Sequence, residues 1–152
     1  MTQAFQIGPG IKGDVIIRPI VTGGRESHND PLPLVVGGFA INPDDYVLGK
    51  TSLAFQFQAV AANGNTPLTT HIQLYNITDA EIVTSSVIDI VDDTTPTKYS
   101  AAITVGTGAG ELKSGVEKLY ECQIFLDAAP GDPLLDTIEL FKAELRAVYT
   151  VL

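Results

Sequence analysis

Leu53-Ala54-Phe55-Gln56-Phe57-Gln58-Ala59 is the stretch that decides the fold. Leu53, Phe55, Phe57 and Ala59 occupy every second position, with Ala54, Gln56 and Gln58 between them. Successive side chains of an extended strand point to opposite faces, so a period of two marks a strand with one buried face and one wet face. The pattern recurs downstream. Ile72 and Leu74 point inward while His71, Gln73 and Tyr75 point out. Tyr99, Ala101, Ile103 and Val105 alternate again, and Tyr120, Cys122, Ile124 and Leu126 face in against Glu121, Gln123 and Asp127. Phe141, Ala143, Leu145, Ala147, Tyr149 and Val151 form one face of a long terminal strand, with Lys142, Glu144 and Arg146 on the other. Shorter strands are expected over 81–84 and 86–91.

Turn chemistry separates these runs. Asn63-Gly64-Asn65-Thr66-Pro67, Asp92-Asp93-Thr94-Thr95-Pro96 and Pro130-Gly131-Asp132-Pro133 supply the residues that reverse a chain. Gly106, Gly108, Gly110 and Gly115 mark a long mobile loop. About seven or eight strands with no segment of helical period predict an all-β, antiparallel, two-sheet β-sandwich. A jelly roll is the first choice of topology and an immunoglobulin-like sandwich the second.

Residues 1–36 read differently. Gly8, Pro9, Gly10, Gly13, Pro19, Gly23, Gly24, Pro31 and Pro33 interrupt them, and neither residue type suits a central strand. Yet Val15, Ile16, Ile17, Ile20 and Val21 are apolar and would prefer cover. This predicts an extended N-terminal arm over 1–36 that docks on a partner through those five residues, ahead of a sandwich domain over 37–152. The competing reading is a pair of short edge strands folded back on the same domain.

Length and charge narrow the function. A chain of 152 residues suits one domain with a real core. Residues 1–40 hold three basic and three acidic groups, and residues 41–152 hold six basic and fifteen acidic. The whole net charge of −9 therefore lies on the body, which repels phosphate backbones and argues against nucleic acid. The N-terminus shows neither a basic n-region nor an apolar h-region, so no signal peptide is expected. No apolar run approaches the ~20 residues of a membrane helix, so no membrane partner is expected.

Motifs for chemistry are weak. The histidines, His28 and His71, have no nucleophile elbow around them, and the lone Cys122 makes no intrachain disulfide and no zinc cluster. Asp44-Asp45 and Asp92-Asp93 suit turns better than a glycosidase pair. Asp127, Asp132 and Asp136 lack calcium-loop spacing. Asn76-Ile77-Thr78 matches a glycosylation sequon but reads as a turn, and Gly106-Thr107-Gly108-Ala109-Gly110 lacks the Lys-Ser/Thr ending of a phosphate loop. Tyr46 and Tyr75 are the plausible exposed rings for a sugar. The expectation is no enzyme, no cofactor and no metal.

Leu74-Tyr75-Asn76-Ile77-Thr78-Asp79-Ala80-Glu81, Thr94-Thr95-Pro96-Thr97, Leu119-Tyr120-Glu121-Cys122-Gln123-Ile124 and Lys142-Ala143-Glu144-Leu145-Arg146-Ala147 follow one another in order. This half of the chain resembles the jelly-roll-like β-sandwich modules found in structural proteins of tailed bacteriophages and in related bacterial sequences. The resemblance implies a virion component and carries no active site across; with no signal peptide expected, synthesis in the host cytoplasm is the expectation. The expected role is decorating or cementing a capsid shell, with the major capsid protein or other virion subunits as partners and a homo-oligomer as the working form. The alternative is a carbohydrate- or receptor-binding module of a tail fibre or baseplate.

Overall fold

The computed structural model describes residues 12–47, 49–64 and 68–151, leaving aside the side chains of residues 50 and 51. Twelve strands are described: β1 (Lys12–Val21), β2 (Glu26–His28), β3 (Leu34–Ile41), β4 (Lys50–Asn63), β5 (Thr70–Asn76), β6 (Glu81–Ile82), β7 (Ile88–Ile90), β8 (Thr97–Ile103), β9 (Val105–Gly106), β10 (Leu112–Lys113), β11 (Lys118–Leu126) and β12 (Ile138–Val151). Among the described residues there is no α-helix, only short 3-10 turns at Pro43–Tyr46 and Thr84–Ser86.

Two antiparallel sheets face each other. One runs β1-β12-β4-β8, with β2 also pairing β12; the other runs β3-β11-β5-β6, with β7 also pairing β5. Eight strands carry the topology, and they pair first with last. β1 pairs β12, β3 pairs β11, β4 pairs β8 and β5 pairs β7. That nested pairing is one long hairpin, and the contacts of β12 with β4 and of β11 with β5 roll it into a barrel-like sandwich. The topology is a jelly roll.

The core is the inner face of both sheets. Phe57 and Leu145 are register partners and both are fully buried, as are Ile72, Leu74, Ile124 and Leu126 opposite them. One change of phase separates the terminal strand from simple alternation. Ile138 and Leu140 point inward at even positions, whereas Ala143, Leu145 and Ala147 do so at odd ones. The register against β4 slips between Leu140 and Lys142, so Phe141 is the extra residue of a bulge.

The structure differs from the expected arm over its described part. β1 pairs with β12 along the edge of the first sheet, β2 continues that edge, and β3 lies in the second sheet. The boundary expected at 36/37 falls inside β3, while residues 1–11 lie outside the described residues. Pro19, which has no N–H to give a ladder, is tolerated on an edge strand and next to a bulge. The glycines permit close approach: a Cβ on Gly13 would meet the Tyr149 ring, and one on Gly37 would lie 2.7 Å from the Ile20 carbonyl oxygen. Two bulges leave Ile17 and Ile20 unpaired, and both pack against the core. Arg18 fastens the strand, donating from Nε to the Ala40 carbonyl at 3.0 Å and from its terminal nitrogen to the Tyr46 hydroxyl at 2.5 Å.

The glycine-rich segment over 106–115 also differs from a featureless loop. β9 and β10 form a small parallel pair across it, and Glu111 Oε2 accepts the Gly108 N–H at 3.0 Å.

Candidate interaction surface

Four connections meet at one end of the sandwich: 29–33, the described residues 64, 68 and 69 of the turn after β4, 91–96 and 127–137. Backbone bonds join them, from Leu126 N to Asp30 O, Asp127 N to Thr69 O, Asn63 N to Asp93 O and Gly64 N to Thr137 O. Two of these connections contain the same tripeptide, Asp30-Pro31-Leu32 and Asp132-Pro133-Leu134. In each the aspartate Oδ1 accepts the leucine N–H, at 2.7 Å for Leu32 and 3.0 Å for Leu134. Such a side-chain turn pins a short loop without regular structure. Asp136, itself buried, accepts the Asp132 N–H at 2.8 Å and steadies the second turn. The side chains of Leu32 and Leu134 are nonetheless 74% and 88% exposed.

The sequence reading missed this end. Its signal was the repeated Asp-Pro-Leu, hidden because each copy alone reads as an ordinary turn. The five residues expected on the arm separate instead. Val21 is 6% exposed and belongs to the core, and Ile17 and Ile20 pack against it. Val15 and Ile16 remain 42% and 47% exposed on the edge strand. Val15 and Ile16 thus present the most open surface of the five, Ile17 and Ile20 are half-buried, and Val21 alone is enclosed in the core.

Other candidates are occupied by local bonding. His71 Nδ1 lies 2.7 Å from Asp89 Oδ1, and its ring packs against Phe125 at 4.9 Å between centroids. Cys122 sits on the inner face of the same sheet, so the sheet separates thiol from imidazole, and burial pushes the thiol up to about 12. His28 Nε2 contacts the Leu32 carbonyl at 2.6 Å. Asp44 Oδ2 accepts the Gly115 N–H. Asn76 of the sequon is fully buried and bonds Asp79 from both ends of its amide. Tyr46, expected to be an exposed ring, is half-buried, edge-on to Phe55 and under the Arg18 guanidinium. Tyr75 is likewise half-buried. Among the described residues no three His, Cys, Asp or Glu side chains converge as a metal site would require.

Two depressions carry charge. One, about 170 Å³, lies on the outer face of the first sheet against Asp14, Gln58, Lys98, Lys142, Glu144 and Arg146. Glu144, expected on a wet face, is only 4% exposed there, held by Arg146 at 3.0 Å and Lys142 at 3.4 Å. Arg146 also reaches Asp14 at 2.8 Å, and that bond raises its pKa. The other depression, at the end opposite the leucines, pairs Lys113 with Glu81 and Lys118 with Asp79. In both, ion pairs join side chains of opposite charge across the depression.

No protein-family model matches the chain, and no curated protein matches it. Among solved structures it is similar to the VP2 subviral particle of infectious bursal disease virus, at 13% identity and a TM-score of 0.47, over 93% of this chain and 34% of that one. It is also similar to the Gx strain of the same virus, at 13% identity and a TM-score of 0.40, over 93% of this chain and 40% of that one. A third is the enzymatically active domain of tailspike protein 4 of bacteriophage CBA120, at 16% identity and a TM-score of 0.35, over 94% of this chain and 20% of that one. The chain thus spans less than half the length of each of these three structures.

Proposed function

We propose that the chain is a non-enzymatic structural subunit of a virion that decorates or cements a capsid shell through protein–protein contacts. One observation carries the reading. Leu32 and Leu134 are held in solvent by turns that hydrogen bonds make rigid. Single exposed apolar residues are ordinary, but two on turns bonded to each other are a surface prepared for a partner. Ordering costs are then small on association, so apolar burial is retained as affinity. Val15 and Ile16 on the edge strand offer a second, flatter contact, in line with a docking role for that segment. The resemblance of the sequence motifs to tailed-phage structural modules points the same way.

The test is co-sedimentation with shells of the encoding virus assembled without this chain. Saturable pelleting of the full-length protein with shells is expected. A protein that stays in the supernatant, yet binds glycans or host cells, overturns the proposal in favour of a receptor-binding module.

A further inference from the structure

The four connections at the leucine end contain six aspartates, at positions 30, 92, 93, 127, 132 and 136, and no lysine or arginine. The same end displays the twin Asp-Pro-Leu turns, tied together by the bond from Asn29 Nδ2 to the Pro133 carbonyl. Asp136 is buried and the other five reach solvent, so exposed apolar tips share this end with acidic charge and define a complementary shape and a complementary sign.

We infer that this end docks onto a basic protein surface with apolar depressions that receive Leu32 and Leu134. The inference deepens the virion reading and rests on it. Charge selects the occupant. A second copy presenting the same end would set carboxylates against carboxylates, and a nucleic acid or anionic membrane would be repelled likewise. A cationic partner surface instead gains attraction as it approaches. The aspartates then speed association, whereas the leucines, once covered, slow dissociation. Proline and the aspartate-closed turn have already restricted both backbones, so binding orders little that was free.

The experiment uses the full-length chain and three labelled peptides, read by fluorescence anisotropy. One alternates Lys and Leu, one is oligolysine of equal charge, and one alternates Glu and Leu. Tightest binding of the Lys/Leu peptide is expected, with weak, salt-sensitive binding of oligolysine and none of the Glu/Leu peptide. Changing Leu32→Ser and Leu134→Ser together weakens the Lys/Leu complex at least about tenfold. One factor of ten is about 1.4 kcal/mol, less than a fully buried leucine contributes. The same change leaves oligolysine binding as it was. Changing Asp92→Asn and Asp127→Asn together weakens both cationic peptides and flattens their salt dependence. Unaltered Lys/Leu binding in the double-serine variant, or equal affinity of the wild type for both cationic peptides, overturns the inference. Shell sedimentation of the same proteins separates the two readings. Wild type that binds the Lys/Leu peptide but not shells sinks the virion reading and keeps the docking end. Double-serine protein that binds shells as well as wild type sinks the docking end and keeps the virion reading.

Discussion

Asn29 donates from Nδ2 to the backbone carbonyl of Pro133 at 2.8 Å, across 104 positions of sequence. The bond joins the first and last of the four connections at one end of the sandwich. It fixes the turn that carries Leu32 relative to the turn that carries Leu134.

Asn29→Ala should therefore loosen the end without unfolding the domain. The bond is exposed, so the expected loss is at most about 0.5–1.5 kcal/mol. Amide hydrogen exchange should accelerate at Leu32 and Leu134 while the β11 and β12 amides keep their protection. Uniform acceleration across the sandwich would mean that the bond supports the whole fold and not its end.

Phe57→Ala and Leu145→Ala should each cost about 2–5 kcal/mol. Both side chains are fully buried and they are register partners on β4 and β12. Residues in direct contact share a cavity when both are removed, so the double variant should lose less than the two losses added. Chemical denaturation of the two single variants and the double variant measures this. Strict additivity would place the two residues in separate parts of the core.

The edge strand makes a sharper distinction. Val21→Asp buries a carboxylate in the core and should destabilise the domain by several kcal/mol. Ile16→Ser, on the half-exposed face of the same strand, should stay within about 0.5 kcal/mol. Thermal melts of the two variants decide it. Small and equal effects would return this segment to the role of a detachable arm.

Acid should weaken the fold through two aspartates. The hydrogen bond from Lys118 holds Asp79 below its ordinary value of 3.8, and Asn76 assists. Hydrogen bonds from Thr97 and then Tyr99 lower Asp93. A carboxyl whose folded value is depressed contributes stability above its unfolded value and loses it as pH falls through the folded one. The melting temperature should thus decline below about pH 4. Asp79→Asn and Asp93→Asn together should flatten that decline, and an unchanged acid slope in the pair would assign it to other groups.

Much of this molecule was legible in its sequence, because alternation is a local property. Phe55 and Phe57 on β4, and Cys122 and Ile124 on β11, point inward as their spacing says, and the pleat alone forces that result. What pairs with what is not local. β1 finds its partner in β12, at the far end of the chain, through two bulges that let a segment rich in glycine and proline lie along a sheet edge. The bulge at Phe141 reverses the phase of the terminal strand, and no count of alternating residues contains it. Glu144 looks solvent-facing in sequence and becomes buried because Arg146 and Lys142 fold over it. The two Asp-Pro-Leu turns are each an unremarked loop in the chain. Only the rolled hairpin brings their strands to one end, where a hydrogen bond from the Asn29 side chain ties the two turns together.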